Sequence, residues 1–173
     1  MRHEGKKVKT LTGKVWRFGD SVSTDLIAPG RYFHLRSNLP ELAKHVLEDA
    51  DPEFATKMCP GDFVVAGKNF GLGSSREHAP TIIKLAGVSA VVASSFARIF
   101  FRNAINVGLP VVEVDTNRIN QGEELELDLS AGTLTDRTSG EVFEFPPLPP
   151  VMRNILEDGG LVEHIRKHGD FAV

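Results

Sequence analysis

Polar and apolar positions change period along this chain, and each change marks a different kind of element. Residues 12–18 carry the strand formers Val15, Trp16 and Phe18 and break at Gly19-Asp20, which predicts an opening strand. The stretch DSVSTDLIAPG that follows reads as a loop. Asn38 then stands as an N-cap, with Pro40 in the first turn and Glu41 completing a capping box. Leu39, Leu42, Ala43, Val46, Leu47 and Ala50 share one helical face, so the spacing predicts a helix running to Asp51-Pro52. A short second helix around Phe54, Ala55, Met58 and Cys59 ends at Pro60-Gly61.

Residues 63–66 and 88–93 are continuous apolar runs between turn residues, the pattern of strands buried on both faces. Residues 96–107 place Phe96, Phe100, Ala104 and Val107 on one side of a helix, with Arg98, Arg102 and Asn106 on the other, before Gly108-Leu109-Pro110. A strand at 111–114 follows, so residues 12–115 read as an α/β unit with right-handed crossovers. From Glu124 the period becomes two, ELELDL, and residues 124–145 predict a small antiparallel meander turning at Ala131-Gly132 and Ser139-Gly140. PPLPP is stiff and extended, and it delivers a C-terminal helical segment, 149–168, interrupted by Gly159-Gly160.

Composition narrows the class. The length of 173 residues suits one domain, expected over 1–173, and 41% hydrophobic with 25% charged residues is ordinary for a folded chain. A net charge of -3 and a pI near 6.1 provide no basic field for a nucleic acid. No apolar run reaches signal-peptide or membrane-span length, so the expected location is the cytoplasm, away from any membrane. Cys59 is the only cysteine, which excludes an internal disulfide, a cysteine zinc site and a thiolate-held iron–sulfur cluster within the chain. None of the six histidines has HxH or HExxH spacing, and His164 and His168 are expected at the surface; no metal site is predicted.

The chemistry concentrates in GKNFGLGSSREHAP, residues 67–80. It is not a Walker A loop, because five residues separate Gly61 from Gly67-Lys68 and Asn69 follows the lysine. A dinucleotide fingerprint fails at its third glycine, where Arg76 stands, and neither Ser74 nor Ser75 lies in G-x-S-x-G. Ser74 with Glu77 fits a capping box, though Pro80 suits a helix starting nearer Glu77, which would leave the serines exposed ahead of it. Paired hydroxyls, a guanidinium and glycines that admit close backbone approach together suit a carboxylate. An alkoxide stabilised in such a pocket would serve as a general base, but the residues by themselves require only anion binding.

GSSREHAP resembles the signature of the aconitase superfamily's swivel domain. GKVWRFGDSVSTDLIAPGRY, LAKHVLEDADPEFA, VVAGKNFG and SFARIFFRNAINVGLP extend the resemblance, in order and spacing, to the stand-alone small subunits of 3-isopropylmalate dehydratase and homoaconitase, over about two thirds of the chain. The resemblance implies a three-layer β/β/α swivel domain with a small antiparallel C-terminal section. It implies a partner large subunit whose cysteines hold a 4Fe-4S cluster, with no cofactor in this chain. The implied reaction is a hydro-lyase isomerisation of a 2-hydroxy diacid, 2-isopropylmalate to 3-isopropylmalate in leucine biosynthesis. Homocitrate and citramalate or dimethylmalate chemistry remain alternatives at this point, as does a non-catalytic carboxylate-binding module.

By the same resemblance Ser74 is the proton-abstracting base, and Ser75 and Arg76 bind substrate carboxylate. Thr24 and Asp25 border the cleft, and Arg36, in FHLRS, belongs to the substrate-selecting loop. Leu72 replaces a cysteine common in relatives, and the tract after Arg31-Tyr32 is longer than in many small subunits. For His78, Asn69, Arg98, Arg102 and Asn103 a structural or solvated role is the expectation.

Overall fold

The computed structural model describes residues 10–74 and 76–169. Its seven strands form one sheet in the order β4-β3-β2-β1-β5-β6-β7. Strands β1 (Thr10–Arg17), β2 (Phe63–Ala66), β3 (Ala90–Ala93) and β4 (Val111–Glu113) are mutually parallel. The other edge of β1 pairs antiparallel with β5 (Glu124–Asp128), and β6 (Thr133–Asp136) and β7 (Val142–Glu144) continue as a meander.

The apolar runs explain the layering. In β2, Val64 and Ala66 enter a core shared with Ile82, Phe100 and Ala104 of the helices, while Phe63 and Val65 enter a second core with Leu125, Leu127 and Leu134 of the meander. A strand covered by helices on one face and by half of its own curled sheet on the other has no polar side to show, so all four β2 residues are buried. The meander has only one covered face, hence ELELD alternates, with Leu125 and Leu127 fully buried. Each such leucine contributes about 1.5–3 kcal/mol by burial. The result is the expected β/β/α arrangement.

Helices α4 (His78–Leu85) and α5 (Arg98–Val107) follow β2 and β3, and α5 stops at Gly108 in the left-handed conformation (φ 84). Short elements fill the tract after β1: α1 (Thr24–Ile27), a 3-10 turn (Gly30–Leu35), α2 (Leu39–Ala43) and α3 (Phe54–Lys57). Two expectations need correction here. The stretch expected as loop contains α1 and the start of the 3-10 turn, and the helix expected through Ala50 ends at Ala43. Asn38 does cap it, its side chain accepting from Glu41 N at 3.4 Å. The helix fails to continue because Leu47 adopts φ 57 and donates its N–H to Ile27 O at 3.0 Å, a tertiary bond in place of a helical one. Val46 and Leu47 are buried all the same.

At the C-terminus α6 (Pro150–Glu157) starts with proline in its first turn, and Gly159 and Gly160 (φ 91 and 131) reverse the chain into α7 (Leu161–His168). That reversal overturns the expectation of a surface His164. Its ring is fully buried, and Nδ1 lies 2.7 Å from Asp158 Oδ2, where His168 Nε2 (3.0 Å) and, on Oδ1, Lys167 Nζ (3.2 Å) also converge. These partners, His164 foremost, hold the Asp158 carboxyl at about 2, below its ordinary 3.8. A carboxyl depressed on folding stabilises the fold above its unfolded value and loses that contribution as pH falls through its folded value. Chemical denaturation across acid pH should therefore show a stability loss between about pH 4 and about pH 2 that Asp158→Asn removes. An unchanged acid profile in the variant would contradict this role.

Candidate active site

The glycine loop leaves the carboxyl end of β2 and is laced to the tract after β1. Lys68 N–H donates to Asp20 Oδ1 (2.8 Å), Ser21 N–H to Lys68 O (2.7 Å), Gly71 N–H to Val22 O (2.7 Å) and Thr24 N–H to Leu72 O (2.9 Å). Asn69 holds φ 59 and donates its N–H to Ser95 Oγ at 2.8 Å, so it braces the loop backbone as expected. Gly71 takes φ 83, and a Cβ there would overlap the Phe100 ring, which stacks edge-on to Phe70. Only glycine permits the loop to lie this close to α5.

The lacing brings Thr24 against Ser74. Thr24 is buried, and its hydroxyl donates to Ser74 O at 3.2 Å while lying 3.4 Å from Ser74 Oγ. With the threonine proton on the carbonyl, Ser74 is the donor in the hydroxyl pair. Helix α4 begins at His78 with Glu77 as N-cap, so Ser74 is exposed ahead of the helix and does not cap it. Arg76 curls back toward α1, with Nη2 3.0 Å from Asp25 Oδ1 and Nη1 donating to Ala28 O at 3.2 Å. Its side chain is 25% exposed, and a guanidinium has donors left over for a ligand.

Thr24, Ser74 and Arg76 thus line one cavity of about 350 Å³, together with Gly71 and Gly73. Asp25 reaches it through Arg76. Arg36 does not line it. That guanidinium lies 4.3 Å over the Phe33 ring and donates to Phe33 O, while the Arg76 guanidinium lies 5.9 Å from the same ring centroid, so both arginines neighbour Phe33. Ser75 lies outside the described residues.

The far wall comes from α5, whose Arg98, Ile99 and Asn103 line the same cavity. Arg98 and Asn103 were expected to solvate a helix. Their signal is positional: Arg98 opens the helix that follows β3, at the crevice outside the carboxyl ends of parallel strands. Arg102 turns into a neighbouring groove with Phe101 and Glu113. His78 is half-buried, and burial first, then the Arg76 charge, lowers its pKa, so the imidazole stays neutral and donates no charge to the site. The cavity therefore carries two arginines on its walls, and among its described lining residues only the Ser74 and Thr24 hydroxyls can exchange a proton with a ligand. Of these Thr24 is buried and already donating.

Residues 24–117 match the family model described as the aconitase C-terminal domain. The chain is 63% identical to "3-isopropylmalate dehydratase small subunit 2" of Archaeoglobus fulgidus, over 94% of this chain and 99% of that one. It is 62% identical to "3-isopropylmalate dehydratase small subunit 1" of Thermotoga maritima, over 93% and 98%. Among solved structures it is similar to a 3-isopropylmalate dehydratase from Methanocaldococcus jannaschii, with TM-score 0.89 and 41% identity over 93% of this chain and 96% of that one.

Proposed function

Since the chain belongs to the 3-isopropylmalate dehydratase small subunits of the aconitase superfamily, we propose that it forms the proton-transferring wall of a hydro-lyase that converts 2-isopropylmalate to 3-isopropylmalate. The observation that carries this reading is that exposed Ser74 lines one cavity together with Arg76 and Arg98. Arg76 and Arg98 would each grip a carboxylate of the diacid. Ser74 Oγ would take the proton from the carbon beside the departing hydroxyl and return one on the other carbon when water adds back. Thr24 and the backbone lacing would fix where that oxygen sits, and Asp25 would hold the Arg76 fork in plane. Ser75 is proposed as a further carboxylate contact, and Arg36 as a rim charge acting through Phe33. The relatives' names favour isopropylmalate over homocitrate or citramalate.

This chain offers a single, exposed cysteine, Cys59, and does not fit an iron–sulfur cluster. We therefore assign a 4Fe-4S cluster to a large-subunit partner, where it would supply the Lewis acid for the leaving hydroxyl. The same reading takes residues 1–173 as one swivel domain, supported by a single sheet linking all seven strands, and places the reaction in the cytoplasm.

Two experiments test the proposal. Mixed anaerobically with the large subunit, the chain should generate an enoate, followed by ultraviolet absorbance, from 2-isopropylmalate; neither subunit alone should do so. Turnover by this chain in isolation would refute the two-chain site. In the pair, Arg76→Lys should raise KM by about ten-fold or more, because a point charge replaces a two-pronged donor. An unchanged KM would remove Arg76 from substrate binding.

A further inference from the structure

Three side chains able to ligate a metal meet at the C-terminal end of the fold, and none of them lines the catalytic cavity. Asp158 is the C-cap of α6, while His164 and His168 stand four residues apart on one face of α7. One ligand atom from each lies within 4.8 Å of the other two. Asp158 Oδ2 is the point of convergence, 2.7 Å from His164 Nδ1 and 3.0 Å from His168 Nε2. The backbone fixes this meeting. Gly160 turns the chain at φ 131, where a Cβ would lie 2.8 Å from Asn106 O, so the reversal between the two helices is pressed against α5.

His164 is fully buried, the Asp158 side chain is 10% exposed and that of His168 42%, so two of the groups are held by packing and the third opens to solvent. Lys167 Nζ bonds the other carboxylate oxygen, Oδ1, at 3.2 Å. A contact of that kind orients a ligating carboxylate from outside and leaves Oδ2 to the imidazoles. His164 Nε2 has no partner among the described residues, so the hydrogen bonding of this buried ring is directed wholly at Asp158.

We propose that Asp158, His164 and His168 form a binding site for a divalent transition-metal ion, with zinc the species their donors suit. Two imidazoles and one carboxylate match zinc, whereas magnesium and calcium take oxygen ligands. The ion would replace the protons that bridge Oδ2 to the two rings and release them to solvent, the carboxylate backing away to give bonds of about 2.0–2.2 Å. A fourth position would remain for water on the open side, beside His168. Bound there, zinc would cross-link α6 to α7. The site stands independently of the catalytic proposal.

Isothermal titration of the full chain, freed of metal by a chelator, with zinc chloride tests it, with magnesium chloride as a second arm. Saturable one-to-one binding of zinc is expected, and no saturable heat from magnesium. His168→Ala, at an exposed position where the fold should persist, should weaken zinc at least about ten-fold, as should Asp158→Asn. His45→Ala, which alters a surface imidazole–carboxylate pair elsewhere, should leave the affinity unchanged. Zinc should also raise the urea midpoint of the unaltered chain and not that of His168→Ala. No saturable heat from zinc, equal binding of magnesium, or His168→Ala binding zinc as tightly as the unaltered chain would each overturn the proposal.

Discussion

Ser74→Ala, in the complex with the large subunit, is expected to lower kcat by about 10² to 10⁴, the usual range for removing a positioned proton-transfer group. KM and the substrate Kd should move by less than about three-fold, since an interaction used only in the transition state leaves ground-state binding intact. The expectation follows from position: Ser74 is exposed and lines the cavity, its Oγ 3.4 Å from a buried threonine that already donates elsewhere, with Arg76 and Arg98 on the same walls. A free serine hydroxyl is too weak an acid for this task, and in the proposed site the two guanidiniums would lower the cost of its alkoxide. Thr24→Val should show a smaller defect in kcat, because it removes the group that positions Ser74 and not the reacting oxygen. Steady-state kinetics on both variants separates the roles. Full activity of Ser74→Ala would withdraw the assignment.

Gly71→Ala should be the most damaging single change to the fold of the loop. The residue holds φ 83, which costs an L-residue about 1–2 kcal/mol, and its Cβ would enter the Phe100 ring, an overpacking of about 1–3 kcal/mol. Because Gly71 N–H also bonds Val22 O, the backbone cannot slide aside without unlacing Thr24 from Leu72. A loss of about 3 kcal/mol in urea unfolding is expected, with activity falling too as Ser74 is displaced. Gly19→Ala is the control: no atom lies within 4 Å of its Cβ position, and its effect should be within about 0.5 kcal/mol. Equal midpoints for the two variants would show that the loop does not depend on that close approach.

How much of this was legible in the chain depended on how local each feature is. The apolar runs at β2 and β3 and the alternation of β5 announce their environments because a strand's burial pattern is its sequence pattern. Gly108 as the stop of α5 and Asn38 as the cap of α2 were readable for the same reason. Features fixed by distant partners were not. The end of α2 depends on a bond from Leu47 to Ile27, and the burial of His164 on Asp158 across a two-glycine reversal. At the site, GSSREHAP pointed to Ser74 and Arg76 through resemblance, whereas Arg98 and Asn103 join only because α5 is laid across the crevice. Arg36 was legible as a loop arginine, but not that its guanidinium would lie over the Phe33 ring, away from the cavity that Arg76 lines.

The central claim is that the Ser74 oxygen moves the substrate's carbon-bound proton. Isotope exchange reads that step without waiting for product. With 2-isopropylmalate deuterated at the carbon that loses its hydrogen, the reconstituted enzyme should release the label to solvent, while the Ser74→Ala complex, shown to bind substrate and to co-purify with the large subunit, should retain it. Release of label by that variant at the unaltered rate would contradict the account.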